Sequence, residues 1–534
     1  MFYWTRYDLK EKIMLITAAA IACLLFFCIS MTSQVNASEQ NNAPGLNTAS
    51  VCSIENTTKG ILLEWKKAPG ANGYRIFRKE EGFSEWQHIK TISSGNILMW
   101  KDKKDMTSGT LYKYLILSGK TGSEDLSADP ANGAADENAV SFHFVRPVRL
   151  TSHKCMANNM VDDVWERQES ADGYELQFSA SPFFTAAESV FISGNENIHY
   201  NGQPGKNGKY ARVRAYKING DIKDFSSWSY SAAFRKKIKL TVKYNKRKGK
   251  KTDYRKMSRQ KLYGYDVFQG ACSYGKYSYH SLLNKNNGRF KLVRVNMDSG
   301  KVVKTGTRAI RGHANSMTYN TDDSISVATQ GNGSNNKLTI INIKSLNPKR
   351  VVKIKVPAAV SGAGKADIKK IRKGITAISY EESRKKYVAR VADLDDFIVM
   401  NRNFTVIRYV KVSKKFKQMR QSMLCTKDMV ICLMSPVSSK QDNIGVIYDW
   451  NGNYITKVWL GKKYELEDVY FNEGVLYGHK YNSFLKTIKK KKVVRAIVKK
   501  KSKKTGKIRY KLVKKKKTVK KKIFYRENYI FKAY

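Results

Sequence analysis

The feature that most constrains this chain is an internal repeat. Trp65 is followed nine residues later by Tyr74 behind Gly73, and Trp165 is followed nine residues later by Tyr174 behind Gly173, an offset of 100 residues. Further on, Leu111, Tyr112 and Tyr114 are answered by Tyr210, Arg212 and Arg214. The segments Ile61 to Trp65, Gly73 to Arg78 and Leu111 to Leu117 are short and apolar-rich, with Gly, Pro, Asn and Asp clusters between them. Such runs read as strands of a β-sandwich, and the offset makes the sandwich a unit used twice. Strong helical periodicity is absent throughout.

The Trp on the second strand, the Gly-Tyr opening the third, the Tyr near the sixth and the run Ser226, Ser227, Trp228, Ser229 together resemble tandem fibronectin type III domains of bacterial surface proteins. The resemblance covers 50–143 and 146–237. It implies that Trp65, Tyr74, Tyr112, Trp165, Tyr174 and Tyr210 are core and corner residues and form no ligand cage. No Arg-Gly-Asp sequence supports integrin binding. The segment from Ser123 to Asn138, rich in Ala, Asp, Glu and Gly, has the composition of a linker or insertion.

A basic linker, 238–262, leads into a third region, 263–534, with a longer period. Cys272, Met317, Ile378, Met423 and Val469 each open a strand-loop-strand pattern, at separations of 45, 61, 45 and 46 residues. Hairpins are expected over 317–328, 378–391, 423–434 and 469–478, with further strand pairs around Asp298, Ser299, Gly300 and around Asn451, Gly452, Asn453. Four short strands per unit, five times over, predict a five-bladed β-propeller. A second pair of sandwiches with a basic tail is the competing arrangement. The sequence Gly312, His313, Ala314, Asn315, Ser316, Met317, Thr318, Tyr319 resembles a blade-opening motif in propellers of Gram-positive secreted proteins, including teichoic-acid-associated ones. The predicted fold class is therefore all-β: two fibronectin type III-like sandwiches followed by a propeller.

Residues 1–37 are ordered as an export signal: Arg6, Lys10 and Lys12, an uncharged apolar run from Ile13 to Ile29, then Val35, Asn36 and Ala37 at a small-residue cleavage position. An uncleaved anchor is the alternative, since the run reaches the ~17 residues that a membrane helix needs. A polar linker, 38–49, follows. After the signal five cysteines remain, an odd number without metal spacing, and Cys425 and Cys432 are expected to be buried thiols. Export without a disulfide framework suits a Gram-positive cell. The 99 basic against 44 acidic residues give a net charge of +55, which calls for an anionic partner. Outside the cell that partner is an anionic envelope polymer or glycan, and no intracellular nucleic acid is expected.

Two groups of residues are candidates for chemistry. His313 and Asn315 in one unit, and Glu465 and Glu467 in another, fall on blade-opening strands, which line a propeller's channel. Period-two alternation would put each pair on one side, where the set could hold a divalent cation or bind a sugar. The structural alternative is that His313 and Asn315 satisfy backbone groups and that the glutamates pair with Lys462 or Lys463. No other cofactor is indicated. The second group is the Lys-rich insertion 486–522, with 21 Lys or Arg and no acidic residue. A turn at Thr505 and Gly506 makes it a hairpin rimmed by Lys489, Lys490, Lys491, Lys492, Lys499, Lys500, Lys501, Lys514, Lys515, Lys516 and Lys517. Plain solubilising charge is the bland alternative.

Catalytic motifs are missing: no His-Glu-x-x-His, no Gly-x-Ser-x-Gly, and no phosphate-binding glycine loop on a βα unit, Gly331 to Ser334 forming a loop tip instead. The leading expectation is a secreted or cell-surface, non-catalytic binding and adhesion protein. Alternatives are a channel enzyme of hydrolase, lyase or lactonase type acting on a polysaccharide or lactone, and a scaffold that binds another surface protein.

Overall fold

The computed structural model describes residues 48–119, 136–205, 208–235, 238–240, 242–244, 246–247, 250–251, 265, 267–329, 336–392, 394–436, 442–461, 465–501 and 503–533. The expected export signal 1–37, most of the expected linker 38–49, most of 123–138, the tip 331–334, Lys462 and Lys463 lie outside the described residues. At several strand positions, Lys489 and Lys490 among them, only the backbone is described. The chain divides into two compact units, one ending at Phe234 and the other comprising Ser181–Ala186 and Arg235–Tyr534.

The first unit holds two sandwiches. Strands β1 (Val51–Thr57), β2 (Gly60–Trp65) and β5 (Met99–Asp102) form one sheet, in the order β1-β2-β5. Strands β3 (Gly73–Glu80), β4 (Gln87–Ile92), β6 (Leu111–Gly119) and β7 (Val140–His143) form its partner, in the order β4-β3-β6-β7. The second sandwich repeats this. Its sheets are β12 (His199–Gly202), β9 (Val161–Trp165) and β8 (Leu150–Cys155) against β11 (Glu188–Ser193), β10 (Gly173–Ser179), β13 (Tyr210–Asn219) and β14 (Ile222–Phe225), with β15 (Ser229–Tyr230) beside β13.

The repeat read from the sequence extends to side-chain geometry. The rings of Trp65 and Tyr74 meet edge-on at 5.3 Å, as do those of Trp165 and Tyr174. The Tyr74 hydroxyl donates to the Gly95 carbonyl (3.2 Å) and the Tyr174 hydroxyl to the Asn195 carbonyl (2.8 Å), again 100 residues apart. Tyr112 accepts from the Thr107 N–H at 3.0 Å, whereas Tyr210 packs against Phe234. The guanidinium groups of Arg212 and Arg214 both lie over the Trp228 ring, at 4.0 and 4.2 Å. Trp65 is fully buried among Ile61, Leu63, Ile76 and Tyr114. We expect Trp65→Ala to destabilise the first sandwich by about 3–5 kcal/mol, seen as a lowered denaturation midpoint for the first unit while Trp165→Ala affects the second sandwich.

In the second unit, β16 (Ile238–Lys239), β17 (Val242–Tyr244), β18 (Lys246–Arg247) and β19 (Lys250–Lys251) precede a succession of antiparallel sheets. Sheet 1 runs β20 (Val267–Tyr274), β21 (Tyr277–Asn284), β22 (Arg289–Asn296) and β23 (Val302–Thr305), with β24 (Ile310–Arg311) also on β22. Sheet 2 is β25 (Ser316–Asn320), β26 (Ser324–Ala328), β27 (Lys337–Asn342) and β28 (Pro348–Lys353). Helix α1 (Lys365–Ile371) follows, then sheet 3: β29 (Ile375–Glu381), β30 (Lys386–Val391), β31 (Phe397–Asn401) and β32 (Val406–Val410). Sheet 4 is β33 (Met419–Cys425), β34 (Val430–Ser435), β35 (Ile444–Tyr448) and β36 (Tyr454–Trp459), with β16 parallel to β36. Sheet 5 is β37 (Glu465–Asn472), β38 (Val475–Lys501) and β39 (Ile508–Ala533), completed by β17 against the end of β39.

No sheet closes on itself. Instead the first strands of successive sheets lie side by side, β20 with β25, β25 with β29, β29 with β33, β33 with β37 and β37 with β20. Apolar layers fill the spaces between sheets: Cys272, Phe290 and Leu292 with Met317, Ile325 and Val327, then Leu338 and Ile340 with Ile378, Ile398 and Val406, then Phe397 and Val388 with Val430, Cys432 and Val446. A strand covered on both faces needs no alternation, which is why all of β34 is buried.

Each junction between first strands also carries a buried polar bridge. Ser281 Oγ donates to the Ala314 carbonyl (3.1 Å), Ser316 Oγ to the Ile378 carbonyl (3.1 Å) and Ser435 Oγ to the Leu466 carbonyl (2.7 Å). Ser379 Oγ accepts from the Cys425 N–H at 3.1 Å, and the buried Arg390 guanidinium donates to the Gln421 and Ser422 carbonyls, both at 3.1 Å. Between sheets 5 and 1, Asp468 Oδ2 accepts from the Ala271 N–H at 2.6 Å.

The structure corrects part of the expected layout. Residues 238–262 are not linker throughout, because β16 and β17 from that stretch join sheets 4 and 5. Hydrogen bonding of the exposed backbone edges of β36 and β39 accounts for their recruitment. The long separation between Met317 and Ile378 holds α1, whose entry is fixed by the Asp367 carboxylate accepting from the Gly364 N–H at 3.1 Å.

Candidate functional site

Where the first strands meet, His313 and Asn315 lie not on a strand but on the loop into β25. Gly312 and Ala314 have φ of 127° and 59°, which turns the chain and breaks the alternation expected there. The Ala314 side chain is buried, and His313 Nδ1–H donates to Asn315 Oδ1. Glu465 and Glu467 are on β37, but the register with β38 slips between Leu466 and Asp468, so Glu467 occupies a bulge and the period-two argument fails for this pair as well. Gln421 Nε2 donates to Glu465 Oε1 at 3.2 Å.

These residues nevertheless share one electrostatic neighbourhood. Burial pushes the Glu467 carboxyl well above the carboxylate range, Glu465 adds to this, and Lys285 and Gln269 oppose it. Desolvation lowers the His313 imidazole, its bond to Asn315 raises it, and Lys285 and Glu465 act on it in opposite directions. Gln269 presents a buried Oε1 that has no hydrogen-bond partner. Sequence reasoning missed Lys285, Gln269 and Gln421, because Gln269 on β20 and Lys285 just after β21 come from sheet 1 and Gln421 on β33 from sheet 4, with no spacing that links them to Glu465 and Glu467. The set offers donors and acceptors to hydroxyl groups. Among the described residues, no group of three or more His, Cys, Asp or Glu side chains could hold a metal ion. The cationic Lys285 in the set disfavours a divalent cation.

Close by, His280 on β21 and His479 on β38 are fully buried, with their Nδ1 atoms 3.1 Å apart. His479 Nε2–H donates to the Gln269 carbonyl at 2.7 Å, so His479 Nδ1 accepts from His280 Nδ1–H. His280 Nε2 then accepts from Ser278 Oγ at 2.9 Å, and Phe268 lies 4.9 Å from both rings, stacked on His280 and tilted against His479. The pair is satisfied only when neutral. Burial accordingly depresses both imidazoles, His479 to about 4, and His479 further depresses His280.

An unfolded histidine titrates near 6.5, so unfolding takes up protons as pH falls from there towards 4. The stabilisation is complete above about pH 6.5 and is lost on acidification, roughly 3 kcal/mol for His479 alone. Glu467 and Asp468, whose carboxyls are raised by burial, act in the opposite sense, favouring the fold at low pH. The test is therefore a comparison. Between about pH 7 and 4.5, the denaturation midpoint should fall further in the wild type than in His479→Gln, which keeps a donor for Gln269 and does not titrate. Equal falls would contradict the assignment.

The second candidate is the Lys-rich hairpin. It is no separate insertion: β38 and β39 pair without interruption from Leu476↔Ala533 to Lys501↔Ile508, while β37 accompanies β38 only as far as Tyr481. Beyond that point a two-stranded ribbon continues for about 65 Å, at ~3.3 Å per residue. The turn includes Thr505 and Gly506, the latter with φ of 62°. Lys491, Lys492, Lys499, Lys500, Lys501, Lys514, Lys515, Lys516 and Lys517 are exposed, and Lys489 and Lys490 belong to the backbone of β38. Like charges stand directly opposite in Lys492↔Lys517, Arg495↔Lys514 and Lys500↔Arg509. Such pairs destabilise a free ribbon and become favourable beside an anion.

Among the described residues Cys52, Cys155, Cys272, Cys425 and Cys432 are all unbridged, and burial raises the thiols of Cys272, Cys425 and Cys432. No helix among the described residues is long and apolar enough to cross a membrane.

No family model matches the chain, and no curated protein matches it. Similar solved structures include the hydrazine synthase of Kuenenia stuttgartiensis, with 11% identity and a TM-score of 0.26 over 42% of this chain and 58% of that one. The chicken CNTN1 FN1-FN3 domains match with 17% identity and a TM-score of 0.18, over 34% of this chain and 64% of that one. A two-domain fibronectin type III segment of chicken tenascin matches with 12% identity and a TM-score of 0.17, over 34% and 97%. The chain thus spans about three fifths of the first two of these proteins. The fibronectin type III neighbours are weak ones.

Proposed function

We propose that this is an exported, non-catalytic adhesion protein of a Gram-positive cell surface, whose cationic ribbon grips an anionic envelope polymer or glycan. Two fibronectin type III-like modules serve as spacers for a five-bladed β-propeller that carries the ribbon. The propeller reading is supported by five successive sheets of four or five strands, by the cyclic neighbourhood of their first strands, and by β17 completing the sheet to which the C-terminal strands belong.

The observation that carries the functional reading is the ribbon itself, with cations on both faces, like charges paired across it and no acidic residue between 486 and 522. Side chains on one face recur about every 6.7 Å along each strand, which presents a regular row of cations to a chain of anionic groups. Export is supported by the order of charge and apolarity in residues 1–37. The test is equilibrium binding of the chain lacking residues 1–37 to purified wall teichoic acid, with an uncharged dextran as control. Saturable binding to the first alone is expected. Absence of binding, or equal binding to both, would refute the proposal.

A further inference from the structure

The two faces of the ribbon differ in a way that charge alone does not explain. Directly opposed residues share a face, as do alternate residues along a strand. By the register, Val493, Ile497, Ile508, Tyr510 and Leu512 therefore lie on one face. Ile497 is 70% exposed, Tyr510 69%, Leu512 59%, Val493 57% and Ile508 46%. Arg495, Lys499, Lys501, Lys514 and Lys516 stand among them on the same face. Over the same outer span, 493–501 against 508–516, the opposite face has Val494, Ala496, Val498 and Val513 between its cations, and these smaller side chains are half-buried.

A hydrated polyanion has no apolar phase to receive Ile497 and Leu512. A second copy of the ribbon would bring the same cations and no carboxylate, so pairing of two such faces is repulsive. A bilayer with anionic headgroups supplies both complements at once, negative charge at its surface and hydrocarbon a few ångströms below. Tyr510, near the tip, is the residue type that sits at such a boundary. We infer that this face of the ribbon lies on an anionic phospholipid bilayer, with Ile497, Ile508, Tyr510 and Leu512 entering the interface and the lysines resting on headgroups. Cations recur along the whole face, so the ribbon lies on the bilayer and does not span it. The inference rests on the ribbon being the contacting element and adds a second ligand to it.

The probe is vesicles of phosphatidylglycerol and phosphatidylcholine, compared with phosphatidylcholine alone, in cosedimentation with the chain lacking residues 1–37. Wild type should bind the anionic vesicles at about 0.1 M salt and retain binding at about 0.5 M, where surface charge is largely screened. Ile497→Ser/Leu512→Ser should weaken binding at the higher salt by roughly ten-fold or more. Val494→Ser/Val513→Ser, on the opposite face, should leave it unchanged. Tyr510→Trp should give a blue-shifted emission with anionic vesicles only. All four proteins should bind wall teichoic acid alike. Equal vesicle binding by the two double variants, no vesicle binding by wild type, or no emission shift would each overturn the inference. If teichoic acid binding persists in these cases, the adhesion reading survives alone; if teichoic acid binding is absent while the vesicle results hold, the polymer reading fails alone.

Discussion

Replacing residues 487–522 with an Asn-Gly turn should leave the five sheets folded and reduce affinity for wall teichoic acid by roughly 100-fold or more at about 0.1 M salt. The register makes the excision clean. Lys486 pairs with Ile523, so a two-residue hairpin turn can join them directly while β37 and β17 keep their partners. The excision removes all but one of the 21 cations between 486 and 522. A ligand that touches even six of them would lose several orders of magnitude in affinity, because each contact releases condensed counterions. Undiminished affinity in a folded excision variant would place the binding charge elsewhere among the remaining basic residues.

Asp468→Ala should be the most damaging single change at the junction between sheets 5 and 1, lowering the stability of the second unit by about 3 kcal/mol. Its carboxylate is fully buried; Oδ2 accepts from the Ala271 N–H at 2.6 Å and Oδ1 from the Val469 N–H at 2.8 Å. Truncation leaves both donors in a dry site, each at a cost of about 1–3 kcal/mol, partly offset by the burial cost of the carboxyl itself. That cost is visible as a carboxyl held well above the usual range, mainly by burial. Asp468→Asn keeps one acceptor and should lose about half as much. Denaturant unfolding of the three proteins measures the effect, and an alanine variant within about 0.5 kcal/mol of wild type would contradict it.

The parts of the fold that repeat locally were legible in the sequence. The Trp-to-Tyr spacing announced both sandwiches because one aromatic contact in each demands it, and 45-residue spacings announced successive hairpins because each sheet is built from consecutive strands. The turn at Thr505 and Gly506 was legible for the same reason, since a hairpin is a local object. What sequence spacing cannot encode is contact between distant segments. Asp468 and Ala271 are 197 residues apart, and His280 and His479 are 199 apart. The central cluster was half legible. Strand alternation named His313, Asn315, Glu465 and Glu467, but the loop at Ala314 and the bulge at Glu467 rearranged both pairs. Lys285, Gln269 and Gln421 carried no signal in isolation. β17 escaped notice because a three-residue strand next to a Lys-rich stretch has no pattern of its own until β39 supplies its partner.

The salt dependence of binding to wall teichoic acid tests the adhesion proposal most directly, measured for the chain lacking residues 1–37 and for its excision variant. For contact through six or more ribbon cations, the logarithm of the affinity should fall with the logarithm of salt concentration with a slope of about −4 or steeper, as for a single-stranded polyanion. The excision variant should show a slope near zero. A slope shallower than about −1 for the intact chain, or the same steep slope in both proteins, would contradict adhesion through the ribbon.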